Sequence, residues 1–189
     1  ERGIALVMVI LFTAFLSVLA LGLLLAVFVD RLPTGNMCAS VAMFYAADAG
    51  IELAARDLAE TTDWDTVLSG SMQGSFTDGA PGGARKIPGG GTIDLTVATN
   101  LLNCLKPSNC TAAQMNPNSA RRPWGSDNPR WRLYAYGPIE SMAPVLRPAP
   151  CYLAVWIADD AREQDGDPQS DAADEEPGHG IVRLHSETF

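Results

Sequence analysis

The chain carries one stretch that limits every fold available to it. Ile4–Val29, IALVMVILFTAFLSVLALGLLLAVFV, is 26 residues without a single acidic, basic, His, Asn or Gln side chain. As a helix it would run about 39 Å, against about 30 Å for the hydrocarbon core of a bilayer. Arg2 precedes it, and Asp30 and Arg31 follow it. A secretory signal peptide has an apolar region of only about 7–15 residues, ending at a small-residue cleavage site. This run is far longer and continues into further helical sequence, so a retained membrane-spanning helix is expected.

The remaining residues suffice for one globular domain with its own core. The formal net charge is −9, and Asp159–Glu176 alone carries nine acidic residues against Arg162. With that segment at −8, the rest of the chain sums to about −1. No basic field is left to attract a phosphate backbone, so nucleic acid is not an expected partner.

Pro33 and Gly35, in DRLPTGN, predict a kink or a locally melted link, because proline removes a helix hydrogen bond and glycine weakens what remains. Helical character then resumes in Met37–Glu60, MCASVAMFYAADAGIELAARDLAE. There Phe44, Ala47, Ile51, Ala54, Ala55 and Leu58 trace an apolar stripe, with Asp48, Glu52, Arg56, Asp57 and Glu60 largely opposite. A domain boundary is expected at 36/37, with residues 1–36 as the apolar helix and 37–189 as an extracytoplasmic head. A short helical piece is expected in Thr61–Gly70, with Trp64 reaching the core. Ser71–Gly91 is rich in glycine and reads as loop.

Strands are expected at Thr92–Ala98 (TIDLTVA), Trp131–Gly137 (WRLYAYG), Cys151–Ala158 (CYLAVWIA) and Gly180–Leu184 (GIVRL). The third is apolar throughout and suits a central strand buried on both faces. Thr99–Arg130 reads as mostly irregular. The expected class is α+β: a long kinked N-terminal helix whose C-terminal half packs on a small antiparallel sheet.

Catalytic signatures are lacking. His179 and His185 are the only histidines, no serine sits in G-x-S-x-G, and Gly89–Gly91 precedes a strand rather than a helix. An enzyme is not expected, and no cofactor is required. Two sites carry open alternatives. Cys104 and Cys110 flank a proline-containing loop and suit either a disulfide or, with less fitting spacing, a metal site. In the acidic loop, Asp165, Asp167 and Asp171, with Gly166 between, offer oxygens to Ca²⁺, although the spacing is not that of an EF-hand. A solvated acidic surface is the alternative. Whether Cys38 and Cys151 pair is open.

Three segments together resemble a known family. ERGIALVMVILF, then FYAADAGIELAARDLA, then YLAVWIADD…DGDP…PGHGIVRL look like the two ends of PilX-type minor pilins of type IV pilus systems. Ser71–Arg130 carries no resemblance. The resemblance implies a pilin-like fold, cleavage after Gly3 on the cytoplasmic side, and a methylated N-terminus at Ile4. It also implies storage in the inner membrane before assembly with other pilin subunits into a surface filament, of a pilus or a related secretion pseudopilus. Similar proteins continue beyond Phe189, so a further C-terminal strand is expected. Position five after the cut, usually Glu in major pilins, is Met8 here, which points to a tip or priming subunit. In such a filament Met8, Leu16, Ala20, Gly22, Leu23 and Ala26 would pack against neighbouring helices, the small residues allowing close approach. The rival is a signal-anchored extracytoplasmic module that uses the acidic loop for calcium or adhesion and never polymerises.

Overall fold

The computed structural model describes residues 2–120, 123–142, 150–163, 165–173 and 175–189, without the side chains of 2 and 26–38. The chain divides into two compact units, Glu1–Val41 and Ala42–Phe189. Helix α1, Arg2–Ala59, forms the first unit and opens the second. It runs through Pro33 and Gly35 without an end, so the link there is not melted. The side chains at which a kink is expected, and those of Ala26 and Cys38, lie outside the described set.

In the first unit, Gly3–Leu25 is long and apolar enough to cross a membrane, and none of it is buried in the protein. Met8, Leu16 and Leu23 are all exposed, and a Cβ at Gly22 would meet nothing within 4 Å.

The second unit is α+β. Its elements run from the end of α1 through α2 (Asp65–Leu68), β1 (Ala84–Lys86), β2 (Thr92–Asp94), α3 (Leu95–Cys104) and α4 (Ala112–Met115). A turn of 3-10 helix follows at Gly125–Asp127, then β3 (Arg132–Pro138), α5 (Ile139–Met142), β4 (Tyr152–Asp159) and β5 (Val182–Thr188). β1 and β2 form an antiparallel pair, and β3-β4-β5 form a three-stranded antiparallel sheet.

β4 is central and buried along its whole length, as its unbroken apolar run predicts. Its alternation sorts the core into two layers. Leu153, Val155 and Ile157 face one side, with Ala46, Ala54 and Leu58 of α1 and Val67 and Leu68 of α2. Tyr152, Ala154 and Trp156 face the other, with Ile93 and Leu95. The Trp156 indole N–H donates to Thr99 Oγ1 of α3 at 2.8 Å, so the largest buried side chain has its one polar atom satisfied.

The buried stripe of α1 shares Ala54 and Leu58 with the expected one but runs through Ala46 and Gly50 instead of Phe44 and Ile51. Ala46, Gly50, Ala54 and Leu58 are buried, while Phe44 and Ile51 are exposed. Residue size explains the choice. A Cβ at Gly50 would lie 2.9 Å from both Leu153 methyls, so only small residues at this i, i+4, i+8 spacing let the helix approach β4 so closely. The larger Phe44 and Tyr45 turn outward and meet edge to face at 5.9 Å.

Thr92–Ala98 is corrected. Only Thr92–Asp94 is strand, and it pairs with β1 rather than joining the main sheet. Asp94 then caps α3, its carboxylate accepting from the backbone N–H of Thr96 and Val97. Satisfying two otherwise orphaned donors outweighs the alternation that suggested a strand. Ser71–Gly91, expected as loop, contains β1 and is pinned to the sheet. Tyr136 Oη donates to the Gly79 carbonyl, Tyr152 Oη to Asp78, and Asp78 pairs with Arg85 at 2.9 Å. Trp64 is only half-buried, and Val67 and Leu68 hold α2 to the core instead.

A bulge in β3 between Leu133 and Ala135 turns both Tyr134 and Ala135 toward the α1 side. The Tyr134 hydroxyl is buried without a hydrogen bond among the described residues. Burial, and then Asp57 nearby, pushes its pKa up to about 12. Removing an unsatisfied buried hydroxyl relieves a desolvation cost, so Tyr134→Phe is expected to stabilise the protein by about 1 kcal/mol. Urea denaturation followed by circular dichroism measures this, and a loss of stability would show that the hydroxyl has a partner in solution.

Candidate functional site

The connection between β4 and β5 folds its acidic residues inward at one place. Asp159 is the last residue of β4, and the next turn brings Glu163 back beside it. Asp171 comes from farther along the loop, held where its backbone N–H donates to Asp65 Oδ1 at 2.8 Å. One carboxylate oxygen each from Asp159, Glu163 and Asp171 lie within 4.8 Å of one another.

The three acids are differently supplied with donors. Asp159 accepts from the Asp160 N–H at 2.8 Å. Asp171 accepts from the Gly180 N–H at 2.9 Å and lies 3.3 Å from His179 Nδ1, which also contacts the Ala172 carbonyl. Glu163 is 1% exposed, and neither of its carboxylate oxygens has a hydrogen bond of good geometry. Arg162 lies in the same turn, but it pairs with Asp160 at 2.9 Å and its side chain is largely exposed.

The backbone forces this arrangement. Gly178 sits at φ +104°, and a Cβ there would come within 2.2 Å of Glu163 Cγ. Only glycine therefore lets the chain pass this close to the acid.

Burial raises the pKa of Asp159 and of Glu163 above the ordinary carboxylate range. The Glu163 charge adds to the shift of Asp159; Asp171 and Asp165 add to that of Glu163, where the Asp159 carboxyl and the Ala172 backbone oppose it. In the unfolded chain both groups ionise near about pH 4. Above that pH the unfolded state releases protons that the folded state retains, so stability falls as pH rises and levels off once the folded pair ionises. In chelator-treated protein the melting temperature is expected to drop by about 5 °C between pH 5 and pH 8. Glu163→Gln should flatten the fall. A wild-type curve that rises over this range, or one that Glu163→Gln leaves unchanged, would contradict the burial of the pair.

Of the three acids expected to hold calcium, the fold gathers only Asp171 into this cluster. Asp165 and Asp167 are exposed and engaged in local turns, accepting from the backbone N–H of Asp167 and Gln169. Asp159 and Glu163 are the residues that spacing missed. The available signal was that Asp159 ends a doubly buried strand, so the turn after it begins inside the protein.

Cys104 and Cys110 are joined by a disulfide, with Cα atoms 5.9 Å apart, which closes the metal alternative for that pair. Its Cys104 is the last residue of α3, and Leu105 beyond it takes a left-handed conformation at φ +60°. Cys151 is a free, buried thiol whose pKa is raised by burial. A cleft of about 350 Å³ lies beside the disulfide, lined in part by Asn103, Cys110, Met115 and Trp131. His185 lies over the indoles of Trp131 and Trp156 and contacts Glu187 at 2.8 Å.

Gly3 and Ile4 lie in the first turn of α1, Ile4 exposed. Comparison of the chain with family models, with curated proteins and with solved structures finds no match.

Proposed function

We propose that the chain is a non-enzymatic structural subunit of a type IV pilus or related filament, stored in the inner membrane and then assembled through its N-terminal helix. The observation that carries this reading is the wholly unburied apolar span Gly3–Leu25. So large an apolar surface requires a cover, either lipid or other apolar helices. Ala20 and Gly22 leave room for a neighbouring backbone, the device by which helices associate where the hydrophobic effect no longer discriminates. Phe44 and Tyr45, in the second unit, are exposed as well.

The α+β head, with the close-packed helix on its sheet, is compatible with a pilin-like subunit. Met8 in place of an acid removes the charge that would pair with a neighbour's amino terminus, which favours a tip or priming position. Cleavage after Gly3 and methylation of Ile4 belong to the same reading, and N-terminal sequencing of the mature protein tests them.

Mechanical shearing of cells, followed by immunodetection in the fibre and membrane fractions, tests the assignment. The filament reading requires the protein in sheared surface fibres. Its confinement to membranes would leave a single-span anchored module as the function.

A further inference from the structure

We propose that Asp159, Glu163 and Asp171 form a calcium site that fastens the β4–β5 connection. The inference does not rest on filament assembly, since all three residues belong to the unit Ala42–Phe189.

The cluster of acids is one observation, and the state of Glu163 is a second. Its carboxylate is buried and faces the other two acids, and among the described residues neither oxygen has a hydrogen bond of good geometry; the Asp159 carboxyl and the Ala172 backbone offer it only weaker contacts. An isolated buried carboxylate is costly, and buried charges ordinarily pair or coordinate a metal. Gly178 passes so close to Glu163 that a Cβ there would lie 2.2 Å from Glu163 Cγ, which crowds the acid on that side. Arg162, the one base of the loop, is spent on Asp160, and His179 bears on Asp171 rather than on Glu163.

The chemistry and dimensions select the ion. All three donors are carboxylate oxygens, which suit a hard cation. Calcium binds oxygen at about 2.3–2.6 Å, so two ligands on opposite sides stand at most about 4.6–5.2 Å apart. The three oxygens all lie within 4.8 Å of one another, a spacing that one calcium ion can bridge. Magnesium binds at about 2.0–2.1 Å and demands near-ideal octahedral geometry, which three carboxylates from separate parts of a loop satisfy less readily. With three carboxylates supplied by side chains, water or backbone carbonyls complete the six to eight ligands that calcium takes. The ion would join the end of β4 to Asp171, which is itself tied through its N–H to Asp65.

The test uses the full chain in detergent, freed of metal with chelator and titrated with calcium chloride or magnesium chloride. Calorimetry is expected to show one calcium ion per chain, with a dissociation constant tighter than about 1 mM. Calcium is expected to raise the melting temperature and magnesium at equal concentration to raise it less, since a ligand that binds only the folded state stabilises it. Glu163→Gln, or Asp171→Asn if that variant does not fold, should lose the calcium response. The Asp165→Asn/Asp167→Asn double variant should keep it. The proposal is overturned if wild-type protein shows no response, if magnesium matches calcium, if the Glu163 or Asp171 variant responds normally, or if the double variant loses the response.

Discussion

Trp156→Ala is expected to destabilise the protein by about 3–5 kcal/mol, a large share of the roughly 5–15 kcal/mol that holds a typical domain folded. Trp156 is fully buried on the central strand, and its removal would leave a cavity between the sheet and α3. It would also strip Thr99 Oγ1 of the indole donor that ties α3 to β4. The neighbouring His185, which packs against the ring, would lose that contact as well. Urea denaturation of the full chain, followed by far-ultraviolet circular dichroism, measures the change. Ile181→Ala serves as control, because Ile181 is exposed and should change stability by no more than about 0.5 kcal/mol. A Trp156→Ala loss below 1 kcal/mol, taken as about the size of one hydrogen bond, would contradict a core packed on both faces of β4.

Leu16→Lys is expected to remove the protein from surface fibres while leaving the melting of the head within about 1 °C of wild type. Leu16 lies near the middle of Gly3–Leu25. A lysine at the centre of a membrane-spanning helix costs about 2.5–3.5 kcal/mol on insertion scales. In a filament it would meet apolar neighbours with no partner for its charge, which is costlier still. Leu23→Lys should behave in the same way, displaced toward the C-terminal end of the span, and Leu16→Ile should assemble normally. Immunoblots of sheared fibres and of membranes separate loss of assembly from loss of insertion. Normal amounts of Leu16→Lys in fibres would remove the basis for assembly through this helix.

The features legible in the sequence are those set by neighbouring residues. The apolar span, the strand over residues 132–138 and the doubly buried β4 follow from composition or spacing within a few positions, and the spacing of Cys104 and Cys110 suits the disulfide they form. The face of α1 was less legible. Periodicity marks an apolar stripe, but Phe44 and Ile51 compete with Ala46 and Gly50 for the inside, and hydrophobicity favours the larger pair. Closeness of approach decided otherwise, since a helix seated on Leu153 and Val155 has room only for the small residues.

The acidic loop shows the same division. Its charge was plain, and a hard cation was a natural expectation, yet Asp165 and Asp167 are spent on local turns. Asp159 and Glu163 are not marked by spacing, because their burial depends on β4 lying at the centre of the sheet and on Gly178 passing close over the turn. Neither is a property of local spacing.

Sequence alone determined that this protein has an apolar N-terminal helix long enough to span a bilayer, because 26 residues without a charge or amide have no other stable exposure to account for. It also determined an α+β head built around one wholly apolar strand. Tertiary structure alone decided which side of α1 is buried, that Asp94 starts a helix, and which three acids meet. Those outcomes depend on contacts between segments far apart in the chain, where steric fit and the satisfaction of buried polar groups override local preference.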